Sequence, residues 1–224
     1  IQYIVSGKKR FMITSFLICL FFYFLGSIPI TYLVLLRVKK INILKTEYKH
    51  SGVSNLYKYS SKKILLFVLF GDVIIKGFIP TYIIKNFTGL DLFIIIFLII
   101  GHNWSFFIKL RGGKGLTVSL GILAAISSEV FISIIILFLI FWISRRKNDS
   151  SAPWIVSIVI VNFVVYFDHF YFGLFYKNLS NEYIYSIFLI LLLLLFRRSL
   201  GNYTFTNLNR SILFSRIFFD REKR

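Results

Sequence analysis

The sequence contains one cysteine, Cys19, inside an apolar run, which excludes disulfides, zinc knuckles and iron–sulfur centres. Three histidines and nine acidic residues are spread over 224 positions, so no cluster for a metal ion emerges. Charge is also scarce. Charged residues make up 16% of the chain, against about 25% in an ordinary globular domain. A soluble fold of this size must cover its surface with polar groups, and this chain lacks them. Internal repeats and low-complexity linkers are missing too. What is present is apolar: residues of the set AVILMFWYC reach 57%, Phe alone contributes 27, and mean hydropathy is +0.77. The charges that exist are lopsided, 27 Lys and Arg against nine acids, for a formal +18. With so apolar a chain, that excess reads as cytoplasmic loops facing anionic headgroups rather than as a nucleic-acid surface. The expectation is an all-α, polytopic membrane helix bundle in the cell membrane, with membrane lipids around it and no nucleic-acid partner.

Apolar runs predict spans near Phe16–Leu36, Ile64–Ile84, Leu92–Ile108, Leu116–Ile143, Trp154–Phe172 and Tyr183–Phe196. The fourth is too long for one comfortable helix and is interrupted by Ser127, Ser128 and Glu129. Folded as a short hairpin turning near Glu129, it gives seven crossings with the C-terminus inside. Segments 37–63, 109–115, 145–153 and 197–224 then lie inside with eight, three, three and seven basic residues, 21 of the 27. As a single crossing it would leave only 12 inside. The positive-inside rule favours the hairpin. Gly7-Lys8-Lys9-Arg10 ahead of an apolar stretch has the look of a signal peptide, but no small-residue cleavage site follows it. Met12 is the only methionine, and residues 1–11 are expected to be an extension or non-native, with 12–224 a single membrane domain.

The segment richest in chemistry runs from Gly101-His102-Asn103 to Arg111-Gly112-Gly113-Lys114-Gly115. Glycines around a lysine let successive backbone N–H groups converge on an anion. The helix expected to start near Leu116 aims its positive dipole end at the same point. Lys109, Arg111 and Lys114 add full charges. A Walker A loop is excluded because Ile108 stands where that pattern needs glycine. The competing reading is a plain basic loop. His102 reads either as a proton-transfer group or as an interfacial histidine bonded to backbone. Asp72 and Lys76, four apart in the second span, share a helix face and read first as a neutralising scaffold pair. His169 beside Asp168 reads as structural. His50-Ser51-Gly52-Val53-Ser54-Asn55-Leu56-Tyr57-Lys58 and Ser150-Ser151-Ala152-Pro153 bring further hydroxyls, an amide and a cation to the same predicted face.

These residues resemble the acyl-phosphate:glycerol-3-phosphate acyltransferases, the PlsY family. Leu25-Gly26-Ser27-Ile28-Pro29 resembles the family's opening in its first span. Gly52-Val53-Ser54-Asn55-Leu56-Tyr57-Lys58 is similar to the latter part of its first motif, with Lys58 in an arginine place. Lys62-Lys63, Asp72 and Lys76-Gly77-Phe78-Ile79-Pro80 follow at the family's spacing. Gly101 to Gly115 carries the second motif, G-H-x-x-x-x-F-x-[KR]-x-[KR]-G-G-[KR]-G. The first motif departs from the family: aligned without a gap it loses a serine and an asparagine, and a two-residue deletion instead sets Ser51-Gly52 on the Ser-Gly pair. The third motif keeps little beyond Asn207-Leu208-Asn209-Arg210.

The resemblance implies seven membrane helices and an enzyme that acylates glycerol 3-phosphate from acyl phosphate, giving lysophosphatidic acid, without a cofactor or metal. It implies His102, Lys114 and Ser51 as catalytic residues. Ser54, Asn55, Lys58, Asn103, Lys109, Arg111, Gly112, Gly113, Gly115, Ser150 and Asn207 would bind substrate or phosphate. The alternatives are an inactive or altered relative that binds a phosphorylated lipid precursor, and a small transporter of phosphorylated metabolites.

Overall fold

A computed structural model of the chain describes all residues except 1, 47–49, 57, 89, 145–150, 177, 201–209 and 220–224; for 2–11, 54, 88, 151, 210–212, 214 and 219 it describes the backbone alone. Among the described residues the chain is helical, without a strand. In order come α1 (Gln2–Ser27), α2 (Ile30–Lys39), α3 (Val53–Leu56), α4 (Lys62–Phe70), α5 (Ile79–Ile83), α6 (Ile96–Asn103), α7 (Leu116–Ile126), α8 (Ser128–Ser144), α9 (Ser151–Phe167), α10 (Asn181–Leu200) and α11 (Arg210–Phe219). A wide π-wound stretch, Gly71–Phe78, joins α4 to α5, so that Lys62–Phe87 is one rod of 26 residues.

Among the described residues, four helical stretches are long and apolar enough to cross a membrane: Met12–Lys39, Lys62–Phe87, Ala152–Phe172 and Asn181–Leu200. Leu92–Ile108, Leu116–Ile126 and Ser128–Ser144 are shorter apolar helices. A helix stands at each expected place, four of them long enough to cross, with ends displaced by a few residues where basic or amide side chains continue the helix past the apolar run. The long fourth run divides as expected, but at Ser127 rather than at Glu129. Ser127 is extended (φ −153°, ψ 123°). Its hydroxyl donates to Glu129 Oε2 at 2.6 Å and accepts the Val130 N–H at 3.2 Å. The serine caps α8 and the glutamate holds that cap, an arrangement that satisfies a helix start inside an apolar protein.

Two close crossings fix the parts of the bundle that matter for function. Where α1 meets α6, a Cβ on Gly26 would stand 2.2 Å from the Leu98 carbonyl oxygen, and one on Gly101 would stand 2.1 Å from that of Tyr23. Where α7 meets the π-wound stretch, a Cβ on Gly77 would stand 2.5 Å from Val118 O, and one on Gly121 1.9 Å from Val73 O. Lipid supplies no hydrophobic drive between helices, so close backbone approach through small residues is what holds such contacts. Gly121→Ala is therefore expected to destabilise the protein by about 1–3 kcal/mol, the usual cost of overpacking. Thermal unfolding of detergent-purified protein measures it, and an unchanged midpoint would show that the crossing yields freely.

The α7 helix runs alongside the rod in the same direction. Thr117 lies at Asp72 near its start, and Lys85 Nζ donates to the carbonyls of Ala125 (3.2 Å) and Ile126 (2.8 Å) at its end. α8 returns against α9, with Phe138 stacked on Trp154 at 3.9 Å and Ser133 bonded to Tyr176 at 2.8 Å. At the Lys85 end, Glu182 accepts the Leu92 N–H, and Asp168 accepts the N–H groups of Leu174, Phe175 and Tyr176. His169 bonds Tyr176 O and Asn181 Oδ1 there, as its structural reading expects.

Candidate functional site

At the other end of the bundle the first span is broken at Ile28-Pro29. Proline brings no N–H, and α2 restarts behind it with Pro29 as N-cap. At the break the Ile28 carbonyl accepts the Ile30 N–H at 3.0 Å and also the Lys76 ammonium. Lys76 in turn lies 2.9 Å from Asp72 Oδ1, and Thr117 Oγ1 donates to Asp72 Oδ2 at 3.2 Å. His102 Nδ1 is 3.9 Å from the same carboxylate. Asp72, Lys76 and His102 are buried. With Gly26, Ser27, Ile28, Thr31, Ser51 and Ser105 they line a narrow cleft of about 10 Å³, room for about one water. The Ser105 hydroxyl donates to the Ser27 carbonyl and ties α1 to the end of α6.

The glycine-rich loop folds onto His102 and Asn103. The Gly113 N–H donates to the His102 carbonyl at 2.9 Å. A Cβ on Gly112 would stand 2.1 Å from that carbonyl oxygen, and one on Gly113 would stand 2.2 Å from His102 Nε2. Gly115 is left-handed (φ +76°), and its Cα packs on the Asn103 amide, where a Cβ would stand 2.8 Å from Oδ1. These glycines are needed for close approach to the imidazole and amide. One amide of the expected anion nest, that of Gly113, is occupied by protein.

Arg197 of α10 secures the arrangement. Its Nε donates to Asn103 O at 3.1 Å and its Nη2 to Gly112 O at 3.5 Å, with the guanidinium 5.7 Å from the Trp104 ring centroid. Arg197, Arg198 and Arg216 are buried, and Arg216 also donates to the carbonyls of Ser199 and Leu200. Lys114 is half-buried beside them. Its pKa is held well below the ordinary lysine value, first by lost hydration and then by the charges of Arg198, Arg197 and Arg216. Burial, followed by the charges of Lys114, Arg197 and Arg198, likewise lowers the pKa of His50 well below its ordinary value. Cations gathered in this way favour an anion. Asn103, fully buried at the edge of the cluster, has neither amide atom bonded to a partner among the described residues.

The structure thus brings Ser51, His102, Asn103, Gly112, Gly113, Lys114 and Gly115 to one end of the bundle. It does not bring Lys109, Arg111 or Lys58 into the cleft; all three are exposed. Lys109 and Leu110 are left-handed (φ 54° and 62°) and turn the chain outward there. Asn55 holds its own loop, donating to Thr46 Oγ1 and His50 O, both at 3.0 Å. The Ser54 side chain, Ser150 and Asn207 lie outside the described residues. Asp72 and Lys76, read from sequence as a scaffold pair, line the cleft beside His102. Arg197, Arg198 and Arg216 escaped sequence reading because they stand among other basic residues that satisfy the positive-inside rule equally well. The sole sequence signal for Arg197 and Arg198 was that the arginine pair directly follows the apolar run of α10.

Comparison with known proteins gives concordant findings. A family model described as glycerol-3-phosphate acyltransferase matches residues 16–206. The glycerol-3-phosphate acyltransferase of Wolbachia pipientis wMel is 31% identical over 142 residues, 62% of this chain and 73% of the relative. That of Endomicrobium trichonymphae is 27% identical over 205 residues, covering 90% of this chain and 94% of the relative. Among solved structures, the integral membrane glycerol 3-phosphate acyltransferase PlsY in its glycerol 3-phosphate form superposes with a TM-score of 0.68 at 23% identity. The match covers 83% of this chain and 88% of that one. The lysophosphatidic acid form gives 0.66 over the same coverage.

Proposed function

The chain belongs to the glycerol-3-phosphate acyltransferase family, and on that premise we propose that it transfers an acyl group from acyl phosphate to glycerol 3-phosphate. The products are lysophosphatidic acid and inorganic phosphate. The reaction runs at the cell membrane with the site facing the cytoplasm, a reading supported by the positive-inside rule, which with seven crossings would put 21 of the 27 basic residues on that side.

The observation that carries the reading is the position of His102. Its Nδ1 edge faces Asp72 in the cleft, and its Nε2 edge faces Gly113 in the loop beside the cation cluster. A phosphate-bearing acceptor held by Lys114, the loop and Asn103 meets the reactive carbonyl of a donor held in the cleft. The acceptor hydroxyl oxygen forms the new bond to the acyl carbon. The bond from that carbon to the phosphate oxygen breaks, its electron pair leaves with phosphate, and the hydroxyl proton passes by way of His102 to the departing phosphate. Ser51 completes the polar wall. Holding both partners in one site supplies most of what a direct transfer needs, and the surrounding cations favour charge that develops on oxygen.

The test is an assay of the purified protein with acyl phosphate and labelled glycerol 3-phosphate, read as labelled lysophosphatidic acid. Product is expected. Folded protein that forms none across several acyl-chain lengths would overturn the reaction and favour a relative that binds without turnover.

A further inference from the structure

Lys109 and Arg111 belong to the second motif but are exposed, outside the cleft, and the proposed reaction leaves them without a task. We propose that the turn from Phe106 to Arg111 is a docking site for the headgroups of anionic phospholipids, and that lipid held there steadies the glycine loop. The site rests on geometry alone; its effect on acyl transfer rests on the reaction proposed above.

Three features carry it. First, the turn continues a lipid-facing surface. On α1, Ile13, Leu17, Leu20, Phe21 and Phe24 are exposed at helical spacing, the stripe a spanning helix turns toward lipid. Phe24 meets Phe106 edge-on at 5.7 Å between ring centroids, and Phe107 at 6.4 Å. Phe106, Phe107 and Leu110 are 62%, 56% and 54% exposed, so the stripe runs on into the turn. Second, the turn satisfies its own main chain. The N–H groups of Ile108 and Leu110 donate to Ser105 O at 3.3 and 2.9 Å, and that of Arg111 to Ile108 O at 3.1 Å. Backbone bonded in this way can enter an apolar layer. Its base is fixed to α1, because the Ser105 hydroxyl donates to the Ser27 carbonyl and the Phe106 N–H to Ser27 Oγ. Lys109 and Leu110 keep a left-handed backbone that residues with a Cβ disfavour, in a turn that leaves three apolar and two cationic side chains exposed.

Third, the two cations have no acid to pair with. The acids among the described residues are Asp72, Asp91, Glu129, Asp168 and Glu182. Lys76 and Thr117 engage Asp72, and the other four accept from backbone N–H groups or a serine hydroxyl elsewhere. Lys109 and Arg111 enter no ion pair among the described residues. Cations directly beyond an apolar anchor meet the headgroup layer, and acidic lipid attracts them there. The phenyl rings beside them favour a lipid over free phosphate. The link to the site is short. Arg111 precedes Gly112, whose carbonyl accepts from Arg197 and whose Cα lies against the His102 carbonyl. A headgroup held at Arg111 therefore limits movement of the loop that packs on His102.

Trp104, two residues before Phe106, reports on the turn once Trp142 and Trp154 are replaced by Phe. In vesicles, brominated phosphatidylglycerol should compete for quenching of its fluorescence about tenfold more strongly than brominated phosphatidylcholine, the scale of two surface cations. Added salt should weaken that preference. Lys109→Asn with Arg111→Gln should abolish it, whereas the charge-preserving pair Lys109→Arg with Arg111→Lys should retain it. Acyl transfer by the parent should rise several-fold when phosphatidylglycerol is added to phosphatidylcholine vesicles, and the neutral double variant should show no such rise. Equal quenching by the two lipids, a preference that survives in the neutral variant, or its loss in the charge-preserving one would overturn the site. A lipid preference without any change in transfer would overturn the effect on the loop. Failure of the parent to make lysophosphatidic acid would instead overturn the reaction, and the quenching still decides the site.

Discussion

Replacing Gly113 with alanine is expected to lower kcat/KM for acyl transfer on the order of 100-fold, the scale of a displacement of about 1 Å in a positioned group. The new methyl would stand 2.2 Å from His102 Nε2, 2.9 Å from Cδ2 and 3.1 Å from Cε1. The imidazole must therefore leave its place, and its other edge faces Asp72. Alanine keeps the backbone N–H. That N–H is already taken by the His102 carbonyl, so the loss would come from the displaced ring, and a variant within twofold of the parent would show that the ring's position does not limit transfer. Gly112→Ala should follow the same pattern by another route. Its methyl would meet the backbone oxygens of His102 (2.1 Å) and Asn103 (2.6 Å), so the loop itself must lift. Steady-state kinetics beside thermal unfolding of each variant separates loss of site geometry from loss of fold.

Lys114→Ala should reduce acyl transfer at least about tenfold, equivalent to roughly 1.4 kcal/mol of transition-state stabilisation. The loss should appear in the KM for glycerol 3-phosphate. The same residue predicts a pH dependence. Burial and three neighbouring arginines lower its pKa, so it gives up its proton at a lower pH than an ordinary lysine. The protonated form binds phosphate, so affinity for glycerol 3-phosphate should fall as pH rises through that lowered value. Lys114→Arg keeps its charge across the range and should abolish this alkaline decline even where its geometry costs some activity. An identical alkaline limb in the lysine and arginine forms would assign the titration to another group. Kinetics of parent and both variants between neutral and alkaline pH decide the matter.

Much of this architecture was legible in the linear sequence because membrane helices are written in runs of apolar residues and the basic residues between them. The division of Leu116–Ile143 came from charge placement together with the Ser127-Ser128-Glu129 interruption, and the hydrogen bonds of Ser127 are the local reason for it. The second motif likewise directed attention to His102 and Lys114. Its glycines were read for anion binding by their amides, whereas two of them are required by the proximity of the His102 ring and of the Asn103 amide. No linear spacing reveals that. Lys109 and Arg111 illustrate the opposite case: they belong to the motif, yet two consecutive left-handed residues carry that turn outward, away from the cleft.

By itself the sequence determined that this is an all-helical membrane protein, roughly where its helices run, and which family it resembles. Those properties depend on hydropathy, charge and motif spacing, which are local. Only the tertiary structure decided that Asp72 and Lys76 face His102 across a cleft, that Thr31 is buried there without a partner, and that Arg197, Arg198 and Arg216 gather around Lys114. The reason is the close crossing of α1 with α6 and of α7 with the Gly71–Phe78 stretch. Contacts between backbones far apart in the chain set which charges meet, and a count of charges along a sequence contains no information on that.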